Sequence, residues 1–104
     1  MNREATQAVE EAVAGLTLLC PWMDVEDVAL VREAFRAYMG LVVGEEVDVG
    51  LMAGAILVLA QRAEAVGDRR RAWAFGQWYG WACAAMRGEE YHWPDLPPEL
   101  AALT

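Results

Sequence analysis

Few side chains in this chain of 104 residues could carry catalysis. The chain has no serine and no lysine, which excludes serine hydrolase, Schiff-base and P-loop phosphate chemistry. One histidine, His92, and two cysteines, Cys20 and Cys83, remain. Both cysteines lie in apolar segments, where free buried thiols are expected, and His92 lies in a proline-rich tail. We therefore expect no Cys–His nucleophile, no catalytic residue and no enzyme activity.

The tail also carries the residue types that bind metals. Four potential ligands lie close together in the sequence, namely Glu89, Glu90, His92 and Asp95. A second histidine and a helical i, i+4 ligand pair are both missing, so the spacing is not typical of a metal site. We interpret the segment as a solvated acidic linker and expect neither a metal nor another cofactor.

Three consecutive arginines, Arg69, Arg70 and Arg71, stand where the fourth predicted helix begins. Cations in a first helical turn oppose the helix macrodipole, so a compensating interaction is expected. One interpretation is internal pairing with acidic residues nearby, which are Glu64, Asp68, Glu45 and Glu46. The other is a site for an anion or an acidic partner, formed by the arginines and the helix N–H groups.

Acidic residues outnumber arginines by 16 to 8, and the net charge is −8. This balance disfavours direct binding to nucleic acid, because phosphates would be repelled. Carboxylates gather near predicted helix starts and loops, in the groups Asp24, Glu26, Asp27 and Glu45, Glu46, Asp48. We expect these two groups to form a surface for a partner, for example the basic surface of a nucleic-acid-binding complex.

The segment 71–86 is the most apolar part of the chain, and Gln77 is the only polar residue between its ends. A helix that is apolar on every side has to be covered on every side, either by its own bundle or by another chain. We therefore expect a homodimer with Trp73, Trp78 and Trp81 at the interface. The tail offers a second set of apolar anchors, Trp93, Leu96, Leu100 and Leu103.

The elements that position these residues are predicted to be helices. Apolar residues recur at helical spacing in helix one, from about Asn2 to Leu19, and in helix two after Asp24. The two stripes are Ala5, Val9, Ala12, Leu16, Leu19 and Val28, Val31, Phe35, Tyr38, Val42. Asp24 with Asp27 resembles a capping box, and Asp48 is the expected cap of helix three. Helix four is expected to end near Gly88, and a short helical turn can follow Pro97.

The predicted fold class is all-α: a small four-helix bundle-like domain with a C-terminal proline-broken tail, expected to be oligomeric. Residues 1–90 are predicted to form the helical domain, and 91–104 the tail or a short terminal helix. Glycines four residues apart, Gly50 with Gly54 and Gly76 with Gly80, predict close contact between helices three and four. The turn at 67–72 resembles that of a tetratricopeptide hairpin. The following positions differ, and no second copy appears at a 34-residue period, so a generic helical hairpin is expected.

Three functions fit these features. The first is a non-enzymatic protein–protein interaction module, an adaptor or inhibitor from a high-GC bacterium or its phage, as the composition suggests. The second is an acidic phage-type inhibitor that mimics nucleic acid. The third is a small-molecule sensor with a pocket lined by Trp73, Trp78, Tyr79 and Trp81. The longest uncharged run outside helix four, 49–60, is too short to span a bilayer, and the polar start lacks a signal sequence. We expect a cytoplasmic protein without membrane contact.

Overall fold

A computed structural model describes residues 3–102 of the chain. It contains four long helices and one short one, which are α1 (Arg3–Leu19), α2 (Val25–Val42), α3 (Val49–Ala65), α4 (Arg69–Met86) and α5 (Pro98–Ala101). Between residues 3 and 102 there is no β-strand, so the predicted all-α class with four long helices is confirmed. Asn2, the predicted start of helix one, lies outside the described residues.

An aspartate begins each of the helices α2, α3 and α4. Asp24 accepts a hydrogen bond from the backbone N–H of Asp27, and the Asp27 carboxylate accepts one from the N–H of Asp24, which confirms the predicted capping box. The carboxylates of Asp48 and Asp68 accept from backbone N–H groups of the first turns of α3 and α4. Each carboxylate satisfies an N–H group that lacks a helical partner and complements the helix dipole.

The helices are packed in the order in which they occur in the chain. α2 lies against α1 and α3, α3 lies against α4, and α5 rests on α4. Among the described residues, no Cα atom of α1 comes within 8 Å of a Cα atom of α4. The bundle is therefore closed along three edges and open, at the level of the backbone, along the edge between α1 and α4.

The core contains side chains from all four long helices. Its buried members are Val9, Val13, Val31, Ala34, Met52, Ala53, Ile56, Leu59, Ala63, Phe75 and Ala82. Three residues of the predicted stripes are exposed instead: Tyr38 is 37% exposed, Leu19 is 57% exposed and Val42 is 63% exposed. Leu19 and Val42 occupy the last position of a helix, where the chain turns away from the neighbouring helix. On α1 the buried stripe continues through Val13 rather than through Ala12, which is half-buried.

The predicted hairpin of α3 and α4 is present, but its glycines do not mediate it. A Cβ atom added at Gly54 or at Gly76 would meet no atom within 4 Å, so no helix backbone lies against them. One at Gly50 would meet the Met86 sulfur only at 3.9 Å. The predicted close contact between α3 and α4 is present, because these two helices pack against each other more extensively than any other pair of described helices, but Gly54 and Gly76 do not mediate it. The buried residues of the two helices include both larger and smaller side chains, namely Ile56, Leu59, Phe75, Ala53, Ala63 and Ala82.

Candidate binding sites

A groove of about 520 Å³ lies between α2 and α3, beside the loop that joins them. Its apolar lining comes from α2, the loop and the first turns of α3, and consists of Leu30, Ala37, Val47, Leu51, Met52 and Ala55. Leu30, Glu33 and Ala37 of α2, which line it, are three and four positions apart, so they share one face of the helix. Leu51 is 74% exposed, which leaves part of this apolar lining open to solvent.

The loop is folded back against the end of α2, and Gly40 makes this possible. The backbone N–H of Glu45 donates a 2.8 Å hydrogen bond to the carbonyl of Gly40. A Cβ atom at Gly40 would lie only 2.7 Å from the Cγ2 atom of Val47. The absence of a side chain at Gly40 thus lets Val47 pack under the loop and places Glu45 and Glu46 beside the groove.

The charged residues around this groove are mostly acidic. Four carboxylates line it, those of Glu33, Glu45, Glu46 and Asp48, together with one guanidinium, that of Arg36. Arg36 lies 3.5 Å from Glu33, and both side chains are largely exposed. The structure therefore brings together Glu45, Glu46 and Asp48, as one of the two predicted acidic groups, and adds Glu33 from α2.

The other acidic group lies at the opposite end of α2, about 27 Å away for a helix of 18 residues. Here Arg62 of α3 contacts three carboxylates: its Nε atom lies 2.9 Å from Asp27 Oδ1, and its Nη atoms lie 3.7 Å from Asp24 and 3.5 Å from Glu26. Asp27 is buried, and its Oδ1 atom has no aligned hydrogen-bond donor, so the contact with Arg62 is an ion pair. This group ties α2 to α3 and does not border the groove.

The start of α4 forms a polar contact with the α1–α2 loop. The indole N–H of Trp22 donates a 2.9 Å hydrogen bond to Asp68, the cap of α4. Cys20 is fully buried beside Asp68 and Arg71. Burial and the negative charge of Asp68 raise the pKa of the Cys20 thiol, while the Arg71 guanidinium opposes this rise. Of the three predicted arginines, Arg71 is thus in internal contact, and Arg69 and Arg70 are exposed.

A second cavity, the aromatic cleft, occupies the open edge between α1 and α4 and measures about 410 Å³. Its lining residues are Leu16, Phe35, Tyr38, Ala74, Phe75, Trp78, Trp81 and Trp93. The ring of Tyr38 contacts those of Trp78 and Trp81 edge-on, with centroid distances of 6.2 and 5.5 Å. Of the predicted pocket and interface residues, Trp78 and Trp81 line this cleft, whereas Trp73 and Tyr79 do not. The homodimer contact through these tryptophans stays a prediction.

The C-terminal tail returns to α4 and supplies one wall of the aromatic cleft. The Tyr91 ring lies over Gly80, where an added Cβ atom would be 2.9 Å from ring atoms, and its hydroxyl donates a hydrogen bond to Gln77. Tyr91 in turn contacts Trp93 edge-on at 6.5 Å. Of the predicted tail anchors, Leu100 is buried, Leu96 is half-buried and Trp93 is 51% exposed. Leu103 lies outside the described residues.

Tyr91 is a positioning residue that the sequence did not indicate, and Gly80, expected to face α3, instead receives the Tyr91 ring. Gln77 is the residue from which a contact with the tail could have been inferred. A lone polar side chain in an otherwise apolar helix needs a hydrogen-bond partner when it is covered, and Tyr91 is that partner.

The remaining sequence-predicted site is the set of possible metal ligands in the tail. His92 lies 3.8 Å from Glu90, and both side chains are almost fully exposed. In the part of the chain that the structure describes, no three histidine, cysteine or carboxylate side chains are grouped closely enough to hold a metal ion.

No helix within residues 3–102 is both long and apolar enough to cross a membrane. Comparison with protein-family models, with curated proteins and with solved structures finds no match to this chain.

Proposed function

We propose that this protein is a non-enzymatic interaction module, an adaptor or inhibitor, that binds a basic amphipathic segment of a protein partner in the α2–α3 groove. The observation that carries the proposal is the combination of four carboxylates with an apolar lining and a single arginine. Such a groove matches a segment that presents both cationic and apolar side chains.

The chemistry of lysine and arginine explains why a basic protein segment fits best. Their aliphatic stems pack against apolar surface while the charged head stays near water. In this groove the stems would contact Leu51 and Leu30, and the heads would reach Glu45 and Glu46. Apolar contact supplies most of the affinity, whereas the exposed carboxylates set the association rate and the specificity. Binding should therefore weaken with salt, because exposed charges are screened.

The arrangement of the acidic groups favours this proposal over imitation of nucleic acid. A duplex presents its phosphates as a continuous array, with one negative charge per about 1.7 Å of axis. Here the carboxylates are divided between two ends of α2, and Arg62 partly neutralises the group around Asp27. Nucleic-acid mimicry remains the second proposal, and it depends on net charge rather than on the groove.

The experiment compares two variants that remove the same number of charges. The groove variant carries Glu45→Gln, Glu46→Gln and Asp48→Asn, in which asparagine preserves the cap of α3. The matched control carries Glu4→Gln, Glu11→Gln and Glu64→Gln, all at exposed positions that do not line the groove. The probe is a fluorescein-labelled amphipathic helical peptide of arginine and leucine, and binding is measured by fluorescence anisotropy.

We expect the groove variant to lose about tenfold or more in affinity, equivalent to about 1.4 kcal/mol, and the control to lose little. Raising the salt concentration should weaken binding to the parent protein more than binding to the groove variant. Equal losses in both variants would show that net charge binds the peptide, as the mimicry proposal expects. Full binding by the groove variant would overturn the proposal.

A further inference from the structure

We infer that the aromatic cleft is a binding site for one small, uncharged aromatic molecule, a function separate from the proposed protein contact. The cleft lies between α1 and α4, has α2 behind it and is bordered by the tail at Trp93. Its volume of about 410 Å³ falls within the range of roughly 300 to 1,000 Å³ that is typical of ligand pockets.

The size of the cleft distinguishes a small molecule from a partner helix. The α4 residues that line it run from Ala74 to Trp81, which is about 10 Å of helix at 1.5 Å per residue. A helix with its side chains is itself about 10 Å wide, so a helix from a second copy or from another protein would insert only single side chains into the cleft. A molecule of one or two fused rings fits within this length.

The lining determines the chemical class of the ligand. Among residues 3–102, no acidic or basic side chain lines the cleft, so an ion inside would have no opposite charge nearby and would lose its hydration. The lining offers rings instead. Trp78 contacts Phe35 at 5.2 Å and Tyr38 edge-on, so ring faces and ring edges meet at this wall. A flat aromatic molecule can stack on such faces, and the stacking adds binding free energy to that of burying its apolar surface.

The fold maintains this site through the tail. Trp93 of the tail lines the cleft together with the helices, and its ring contacts Tyr91, which rests on Gly80 and donates a hydrogen bond to Gln77. The remaining half-exposure of Trp93 leaves a route for entry.

The test titrates the protein with N-phenyl-1-naphthylamine, an uncharged dye whose fluorescence rises in apolar surroundings. Its charged relative, 8-anilinonaphthalene-1-sulfonate, is titrated in parallel. Ala74→Phe fills the cleft from α4 without removing a core side chain. Ala14→Phe, at an exposed position of α1 that does not line the cleft, is the matched control. Circular dichroism verifies that both variants are folded.

We expect one saturable site for the uncharged dye, weaker binding of the sulfonate, and quenching or transfer from the tryptophans that line the cleft. Ala74→Phe should weaken binding by about tenfold or more, and Ala14→Phe should leave it unchanged. Unsaturable uptake by the parent protein, stronger binding of the sulfonate, or equal effects of the two variants would overturn the inference. The α2–α3 groove shares no residue with the aromatic cleft, so failure here leaves the proposed protein contact to its own test.

Discussion

Trp22 donates its indole N–H to Asp68 across 46 positions of sequence, at a donor–acceptor distance of 2.9 Å. The same carboxylate caps α4 by accepting from the backbone N–H of Arg71. One side chain therefore begins a helix and also fixes the α1–α2 loop against the α3–α4 turn. The contact closes one end of a bundle whose α1–α4 edge is otherwise open.

A double-mutant cycle should measure this contact. Trp22→Phe removes the indole N–H, and Asp68→Asn removes the charge while keeping a capping side chain. A hydrogen bond to a charged group contributes about 1.5 to 3 kcal/mol when partly buried, so we expect a coupling of about 1 to 2 kcal/mol in urea unfolding. Asp48→Asn is the control, because Asp48 caps α3 and, within residues 3–102, accepts no hydrogen bond from an indole. An equal coupling energy between Trp22→Phe and each of the two aspartate substitutions would contradict a specific hydrogen bond between Trp22 and Asp68.

Acid should destabilise the start of α2 through Asp24. Hydrogen bonding to the N–H of Asp27, helped by the charge of Arg62, lowers the pKa of Asp24 from its ordinary value of 3.8. A carboxyl whose pKa is lower in the folded state stabilises the fold above its unfolded pKa, and this contribution is lost as the pH falls through the folded pKa. The parent protein should therefore lose thermal stability below about pH 4.

Asp24→Asn isolates this effect, because asparagine still caps the helix but does not titrate. The variant should be less stable than the parent at pH 7, and the difference should shrink as the pH falls below 3.8. Thermal unfolding followed by circular dichroism between pH 7 and pH 3 gives both curves. A difference that stays constant over this range would rule out the charge of Asp24 as its cause.

The sequence predicts the features of this fold that depend on neighbouring residues. The capping box of Asp24 and Asp27 is three residues long, so its chemistry is visible in the sequence itself. The end of α1 before Pro21 and the turn at Gly67 are likewise local, since proline and positive φ angles act on the adjacent backbone.

The binding sites depend on contacts between distant segments and were harder to predict. Glu45 and Asp48 are neighbours in one loop, so their grouping was foreseen, whereas Glu33 joins them only through the packing of α2 on α3. Trp73 and Trp78 are equally apolar and lie on the same helix. The rotation of α4 about its axis relative to α2 places Trp78 in the cleft and leaves Trp73 outside. The spacing of apolar residues in α4 does not specify this rotation, because the helix is apolar on every side.

The two free cysteines should differ in reactivity. The thiolate is the reactive form of a cysteine. Cys20 is a free, fully buried cysteine, and burial first and the negative charge of Asp68 second raise the pKa of its thiol. Cys83 is only partly buried. Labelling with Ellman's reagent at pH 8 should therefore modify Cys83 first, and Cys20 should react only when the protein opens.

Single-cysteine variants assign the two rates. Cys83→Ala leaves Cys20 as the reactive group, and its labelling rate should rise with urea concentration in step with unfolding. Cys20→Ala leaves Cys83, and its labelling rate should change little at urea concentrations below the unfolding transition. Rapid labelling of native Cys83→Ala would show that Cys20 is accessible and would contradict its position between Asp68 and Arg71.

Two glycines of α4, four residues apart, should respond oppositely to the same substitution. Gly76 has open space where a Cβ atom would be, so Gly76→Ala should stabilise the helix by up to about 1 kcal/mol. At Gly80 the added Cβ atom would lie 2.9 Å from the Tyr91 ring, so the same gain is offset by displacement of Tyr91 and loss of its bond to Gln77. Urea unfolding should place Gly80→Ala below Gly76→Ala in stability.

The contact between Tyr91 and residue 80 can be separated from helix propensity by introducing Tyr91→Ala both into the parent protein and into the Gly80→Ala variant. Once Tyr91 is removed, Gly80→Ala should gain the stability that Gly76→Ala shows, because nothing then opposes the new methyl group. Gly80→Ala should also expose Trp93 further and shift the tryptophan emission to longer wavelength, while Gly76→Ala should not. Equal stabilisation by both substitutions, with unchanged emission, would mean that the tail is not seated on Gly80 in solution.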